Sequence, residues 1–248
     1  MSFFGLIDKK ESFKLFSTPH ITAISTILII CILIYIYRKQ LRERTMNFRF
    51  RIILATILTI QQLSYFYWHI FNGTWSLKTA LPFNICGASV VMSVVLLITM
   101  DKKIFDVLYF WGICGTLQAL ITPSMDGYNF PHYRFFQFFI GHGLIVITII
   151  FMITVNKYKV NFESLKKSFI TVNVFAVFIG VFNYFTGANY LFLRHKPDSA
   201  SLMDMLGNWP WYIVSLEIIA IVFFMIAYIP FRINKIIDIR KENYEYNT

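Results

Sequence analysis

Seven long apolar segments recur along the 248-residue chain, and they constrain its fold more than any other feature. The segments are 20–37, 52–71, 81–100, 104–122, 135–155, 169–190 and 209–231. A helix needs about 20 mostly apolar residues to cross the hydrocarbon core of a bilayer. Because backbone polar groups inside lipid must bond to one another, such segments fold as helices. The sequence therefore predicts an all-α, polytopic membrane protein with a bundle of seven transmembrane helices.

The composition excludes an ordinary soluble domain. Apolar residues make up 57 % of the chain and charged residues 15 %, whereas soluble domains carry about 45–50 % and about 25 %. We expect one domain with two flanking segments. Residues 1–19 form an amphipathic N-terminal interfacial segment, predicted as a short helix along the membrane and not as a cleavable signal peptide. Residues 20–231 form the seven-helix domain, and residues 232–248 form a basic cytoplasmic tail.

The net charge of +10 is distributed asymmetrically between the two sides of the predicted bundle. Sixteen of the 23 lysine and arginine residues fall on one side: Arg38, Lys39, Arg42, Arg44, Arg49, Arg51, Lys102, Lys103, Lys157, Lys159, Lys166, Lys167, Arg232, Lys235, Arg240 and Lys241. The positive-inside rule then predicts a cytoplasmic C-terminus and an outside N-terminus. The charge is accounted for by topology, so we expect no nucleic-acid partner.

Polar side chains concentrate in the outer halves of the predicted spans. Such side chains are costly inside a membrane, so their position is informative. The set comprises His69, Asn84, Cys86, Gln118, His132, Arg134 and His142. Glu217 in the last span lies at the same depth as His142, each roughly 12 Å below the outer boundary at 1.5 Å per residue. We hypothesise that these two side chains pair.

A cysteine near a histidine is the minimum for an activated thiol nucleophile. Cys86 is the candidate nucleophile, because it lies near the start of a span where the helix dipole favours an anion. His142 is the preferred base and His69 its competitor. Candidates for oxyanion stabilisation or a proton relay are Asn84, Gln118, His69 and Glu217, and candidates for binding a phosphate headgroup are His132 and Arg134.

Metal binding is the rival chemistry, since three histidines and a cysteine could bind zinc. No HExxH, HxxxH or CxxC spacing occurs, so we expect no metal site and no diffusible cofactor. A GxSxG elbow, a P-loop and a dinucleotide fingerprint are also absent from the sequence.

Several motifs carry a family resemblance. They are Phe110-Trp111-Gly112, Leu117-Gln118-Ala119-Leu120-Ile121-Thr122-Pro123, the run from Phe130 to Phe139, Gly141-His142-Gly143, Asn189-Tyr190, Lys196-Pro197 and the run from Leu206 to Tyr212. They closely resemble the YwaF-type bacterial integral membrane family, which is similar to the eukaryotic transmembrane protein 164 group. That group is regarded as a lipid acyltransferase that uses a cysteine nucleophile and a histidine. The resemblance implies that these are Cys86 and His142. Where the resemblance implies a histidine two residues before the cysteine, this chain has Asn84.

We therefore hypothesise a multi-pass protein of a bacterial plasma membrane, acting on a phospholipid or other amphiphile in the outer leaflet as an acyltransferase or transacylase. One alternative is a non-enzymatic transporter or lipid-binding protein with a polar outer cavity. Another is a lipid hydrolase that uses the same site with water as acceptor. The sequence does not identify a protein partner.

Overall fold

The computed structural model describes residues 3–7, 13–125, 127–197 and 202–246, and every regular element in this part is helical. The α-helices are α1 (Thr18–Ile36), α2 (Arg44–Phe71), α3 (Ile85–Thr99), α4 (Lys102–Trp111), α5 (Leu117–Ile121), α6 (Tyr133–Thr154), α7 (Phe162–Thr186) and α8 (Trp211–Tyr246). A π-helical turn, Gly112–Thr116, joins α4 to α5. Short 3₁₀ turns lie at Gln40–Arg42, Tyr190–Phe192 and Leu202–Leu206. The predicted all-α class is confirmed.

Short polar residues and one glycine determine where several helices begin or end. Asp101 Oδ1 accepts a hydrogen bond from the Lys103 backbone N–H (2.7 Å) at the start of α4. Asn161 Oδ1 accepts one from the Ser164 N–H (2.9 Å) at the start of α7. These caps satisfy N–H groups that lack a partner inside the helix. Gly187 ends α7 with φ of 73°, a conformation that strains residues with a Cβ.

α6 is the central helix of the bundle. It contacts α1, α2, α3 and the rod formed by α4, the π turn and α5, while α7 packs on α4 and α8 packs on α7. The outer helices expose large apolar side chains, such as Val177 (69 %) and Phe185 (79 %) on α7. A surface of this kind would be unfavourable in water, and it fits a lipid environment.

Hydrogen bonds between neighbouring helices define the two ends of the bundle. At one end Arg42 Nη2 donates to the Thr154 carbonyl of α6 (2.8 Å), and Arg51 Nη1 donates to the last turn of α3. We call this the basic end. At the other end the His20 Nε2 bonds the Leu120 carbonyl (2.8 Å) and joins α1 to α5. We call this the polar end; α1, α3, α6 and α8 begin there.

Five helical segments of the described chain are long and apolar enough to cross a membrane. They are Thr18–Ile36, Lys102–Ile121, Tyr133–Thr154, Phe162–Thr186 and Trp211–Ile233. These segments confirm a multi-pass membrane protein and match five of the seven predicted spans. α2 has 28 residues but carries arginines and glutamines, and α3 is apolar but has 15 residues. The third predicted span is shorter than expected because residues 81–84 form a loop.

The N-terminal segment differs from the interfacial helix expected for it. Residues 3–7 and 13–17 contain no helix. The Phe4 carbonyl accepts hydrogen bonds from Trp68 Nε1 (2.8 Å) and Asn72 Nδ2 (3.1 Å), and the Phe3 carbonyl accepts one from the Tyr133 N–H (2.9 Å). The bonds from α2 and α6 thus satisfy these carbonyls without a helix in residues 3–7. Residues 3–7 lie as a non-helical strap across the polar end.

α8 continues past the predicted end of the last span. The helix runs through Pro230 to Tyr246. Proline removes a backbone donor, and a bend in a long helix at such a residue is expected. The predicted basic tail therefore begins as an extension of α8.

Candidate functional site

Cys86 is the second residue of α3, and the loop before it is held by the turn that follows α7. The Tyr190 hydroxyl accepts a hydrogen bond from the Leu81 N–H (2.9 Å). Asn84 Oδ1 accepts one from the Leu191 N–H (3.3 Å). Asn84 precedes the helix with extended backbone angles, and its side chain makes no cap bond. Two loops of the polar end thus determine where α3 starts and where its cysteine lies.

Gly87 lets this loop fold back onto the first turn of α3. A Cβ at Gly87 would lie 2.8 Å from Pro82 Cα, which is closer than backbone atoms tolerate. Alanine is favoured over glycine in a helix by about 0.8–1.0 kcal/mol, whereas overpacking costs about 1–3 kcal/mol. We expect Gly87→Ala to lower the free energy of unfolding by about 1–2 kcal/mol. The measurement is denaturation in mild detergent. Gly73→Ala is the control, because a Cβ there meets nothing within 4 Å, although its φ of 64° adds some strain. Equal or greater stability of Gly87→Ala would contradict the close packing.

The Cys86 thiol faces the π turn between α4 and α5. A Cβ built on Gly115 would lie 3.9 Å from Cys86 Sγ. The side chain is half-buried, and no group in the described ranges hydrogen-bonds the sulfur. With no side-chain cap on α3, the first N–H groups of that helix are available beside the thiol. Cysteine thiolates and oxyanions are both stabilised by such N–H groups.

Only one ring nitrogen of His142 makes a hydrogen bond to the described residues. Its Nδ1 is 2.8 Å from the Phe138 carbonyl one turn earlier on α6, so Nδ1 carries the proton. The ring also stacks on the Phe138 ring with centroids 4.0 Å apart. Nε2 makes no hydrogen bond within the described part of the chain and carries the lone pair. A histidine held in this tautomer is equipped to accept a proton at Nε2.

The π turn places Cys86 and His142 at similar depth in the bundle. Gly112 packs against Ile145 and Ile149 of the antiparallel α6, since a Cβ there would meet both side chains. Gly115 lies three residues closer to the polar end, about 4.5 Å at 1.5 Å per residue, and it faces Cys86. The part of α6 at the same depth as Gly115 lies within about one helical turn of His142. α3 also contacts α6 directly. π turns of this kind occur frequently at functional sites.

Polar side chains line the contact between α2 and α6 beside Arg134 and Gln137. Gln61 Nε2 donates to the Gln137 carbonyl (3.1 Å) and passes close to Gly141, where a Cβ would lie 2.8 Å away. Arg134 donates to the Gln137 side chain. Gln61 is buried, and its Oε1 has no partner in the described residues. Gly141 is thus needed to admit a glutamine beside His142.

Tyr65 lies on α2 beside Arg134. The Arg134 guanidinium lies over the Tyr65 ring, 4.5 Å from its centroid. The pKa of Tyr190 is raised, chiefly because its side chain is buried; the hydrogen bond from Leu81 opposes the rise, and the neighbouring Tyr65 adds to it. Sequence analysis missed Gln61, Tyr65 and Tyr190. The i, i+4 spacing of Gln61, Tyr65 and His69 is the signal that places the first two with His69 on one face of α2.

Both ring nitrogens of His132 make hydrogen bonds that hold the fold. Nδ1 accepts the Arg134 N–H (3.1 Å) at the start of α6, and Nε2 donates to the Gly5 carbonyl of the strap (2.8 Å). No ring nitrogen is left for the headgroup that the sequence suggested for it. Burial lowers the pKa of His132 below 6.5; the bond to Gly5 opposes this effect, and the charge of Arg134 adds to it.

We expect the strap to be released as the pH falls. Because folding lowers the pKa of His132, its contribution to stability is complete above pH 6.5 and declines as the pH falls below that value. Protonation also removes Nδ1 as an acceptor. The protection factors of the backbone amides of residues 3–7, which are corrected for the pH dependence of intrinsic exchange, should therefore fall on acidification. In His132→Asn, where asparagine can cap the helix without titrating, these protection factors should show a weaker pH dependence. Equal pH profiles would contradict this role.

The other predicted site residues lie apart from this cluster. Gln118 is exposed near the end of α5, and its side chain makes no hydrogen bond within the described ranges. Glu217 Oε2 accepts a hydrogen bond from Asn173 Nδ2 (3.1 Å), between α8 and α7. The structure therefore pairs Glu217 with Asn173, and the bond of the His142 ring is with Phe138.

Two further features bear on the chemistry. No three metal-ligating side chains come together in the part of the chain that the structure describes. A groove of about 680 Å³ lies on α8 toward the basic end, lined by Phe162, Ile221, Val222, Met225, Ile226, Tyr228, Ile229 and Arg232. It contains none of the predicted site residues, and its apolar lining suits lipid chains.

Comparison with known proteins gives a family and one distant relative. An uncharacterized protein of Treponema pallidum (strain Nichols) is 23 % identical over 159 residues, which cover 63 % of this chain and 64 % of that protein. The match thus spans less than two thirds of the relative's length. No solved structure matches the chain. The TMEM164 family matches residues 15–228, including the loop before Cys86 and all of α6, and the chain belongs to this family.

Proposed function

We propose that this membrane protein transfers an acyl chain between lipids through a thioester on Cys86, with His142 as the base. The main support is that His142 Nε2 makes no hydrogen bond in the described residues and lies at about the depth of the Cys86 thiol. The uncapped start of α3 supplies N–H groups for the oxyanion. Cys86 and His142 are also the residues that the family resemblance implies.

The proposed reaction proceeds in two balanced steps. In the first, His142 accepts the proton of the Cys86 thiol, and the thiolate attacks the ester carbonyl of a donor lipid. The ester C–O bond breaks, and the leaving alcohol takes the proton from the imidazolium. In the second step, the hydroxyl of a lysolipid attacks the thioester while His142 accepts its proton. The C–S bond breaks, and the proton returns to the thiolate, so no net oxidant, reductant or cofactor is consumed.

The proposed function also requires an orientation of the bundle and a membrane in which it lies. Seven crossings, with α2 and α3 added to the five apolar segments, put the polar end outside and the basic end in the cytoplasm. The outer leaflet of a bacterial plasma membrane then supplies the lipids. The ester group reaches the site from the side, since residues 3–7 cover the end of the bundle.

The test is transfer by the purified protein in phospholipid vesicles. A donor phospholipid with a deuterated acyl chain and an unlabelled lysophospholipid acceptor are supplied, and the lipids are followed by mass spectrometry. We expect the label to appear in a new diacyl lipid derived from the acceptor. Label appearing only as free fatty acid would support the hydrolase alternative. No change of either kind across several headgroup classes, with a folded protein, would favour the lipid-binding or transport alternatives.

A further inference from the structure

Arg134 at the start of α6 is a cation without an acidic partner among the described residues. Its guanidinium lies over the rings of Tyr65 (4.5 Å to the centroid) and Trp68 (5.4 Å), and one N–H is donated to the Gln137 side chain. No carboxylate in the described residues forms an ion pair with it. A half-buried arginine in this setting retains donors for an anion, and its fork matches the oxygens of a phosphate.

A second, independent observation comes from His69. Its side chain is 8 % exposed, with Nδ1 3.0 Å from Thr74 Oγ1. The buried Nε2 has no hydrogen-bond partner in the described part of the chain. Buried polar atoms are paired in native structures with few exceptions, so an unpaired nitrogen calls for a missing group. The Tyr65 hydroxyl likewise has no hydrogen bond within that part.

Arg134 and His69 both contact the Tyr65 ring. The His69 ring centroid is 4.6 Å from that of Tyr65, and Arg134 lies 4.5 Å from the same centroid. Because the Arg134 guanidinium covers the faces of Tyr65 and Trp68, these rings cannot form an aromatic cage around a quaternary ammonium group. The chemistry therefore selects an anion with several oxygen acceptors.

We propose that Arg134, His69 and Tyr65 bind the phosphate of a glycerophospholipid at the polar end of the contact between α2 and α6. This assignment rests on the proposed function and names the class of its substrate. Arg134 lies eight residues before His142 on α6, about 12 Å closer to the membrane surface. Along α6 the phosphate-binding arginine thus lies nearer the surface and the base deeper, in the same order as the phosphate and the ester groups of a glycerophospholipid.

Calorimetric titration of the Cys86→Ala protein in detergent tests the site without any turnover. The probes are dihexanoylphosphatidylglycerol, dihexanoylglycerol, glycerol 3-phosphate and inorganic phosphate. We expect the phospholipid to bind at least tenfold more tightly than the neutral diacylglycerol. Arg134→Gln should remove most of this preference, Arg134→Lys part of it, and His69→Gln should weaken phospholipid binding severalfold. Binding in this variant does not depend on acyl transfer, so the two proposals can fail separately.

The control is Arg194→Gln, because Arg194 is exposed at the same end of the bundle. It should leave the binding unchanged. Equal weakening by Arg194→Gln and Arg134→Gln would overturn the proposal, since it would indicate only surface charge. Inorganic phosphate binding as tightly as the phospholipid would overturn the lipid assignment. Diacylglycerol binding as tightly as the phospholipid in folded protein, verified by an unchanged thermal midpoint, would overturn the site itself.

Discussion

Cys86→Ala is expected to abolish acyl transfer, with a loss of at least about 10³-fold in kcat/KM, as for the removal of other covalent nucleophiles. Cys86→Ser should also lose most activity, because a hydroxyl is a weaker nucleophile than a thiol at neutral pH. Neither change removes a hydrogen bond of the described structure, since the sulfur makes none there. The fold and the thermal midpoint should therefore stay close to those of the wild type.

The thioester itself provides the second measurement for Cys86. Wild-type protein incubated with donor lipid and no acceptor should gain the mass of one acyl chain on the peptide that contains Cys86. Neutral hydroxylamine should release that chain, since thioesters are cleaved more readily than oxygen esters. In the Cys86→Ala protein the added mass should be absent. Its persistence on another residue would place the nucleophile elsewhere.

The other free cysteines are matched controls for this experiment. Cys31 lies on α1, and Cys114 lies in the π turn beside Gly115. Both pack against the apolar core. We expect Cys31→Ser and Cys114→Ser to retain transfer within about threefold after correction for folded protein, because polar substitution in a core acts chiefly on stability. A loss in Cys114→Ser equal to that in Cys86→Ala would contradict the assignment.

The fold could be predicted from sequence to the extent that hydropathy determines it. The apolar segments placed α1, α6 and the rod of α4, the π turn and α5 to within a few residues, since lipid forces such segments into helices. Hydropathy did not show that residues 81–84 form a loop, because that loop depends on the bond between Tyr190 and Leu81 across 109 positions. It also missed the π turn at Gly112–Thr116, which depends on packing against α6.

The depth of the candidate site residues could be estimated from the sequence, but their contacts could not. Depth arguments placed Cys86 and His142 at one end, because polar groups in a membrane follow functional cavities or helix contacts. They could not show that His132 is unavailable to a headgroup, since only the structure shows that the strap occupies its second ring nitrogen. They also paired Glu217 by depth alone, whereas rotation about α8 directs it to Asn173 on α7.

His142→Asn is expected to lower kcat/KM by about 10²–10⁴-fold, the usual contribution of a general base. This substitution removes the proposed base but can keep the structural hydrogen bond of residue 142. The asparagine Nδ2 occupies the position of the histidine Nδ1, so it can keep the hydrogen bond to the Phe138 carbonyl. No atom of asparagine replaces Nε2. His142→Gln should show a similar loss, because its amide reaches toward the Nε2 position but cannot accept a proton at neutral pH.

We expect His142→Asn and His142→Gln to slow both steps of the reaction. Because His142 transfers protons in both proposed steps, formation of the thioester with donor lipid and its discharge to a lysolipid should both slow. The control is His195→Asn, since His195 is exposed at the same end and its ring bonds Asn189 and the Lys196 carbonyl. It should transfer at the wild-type rate. If His142→Asn transferred at the wild-type rate and only variants lacking the bond to Phe138 lost activity, the histidine would hold the helix and another group would be the base.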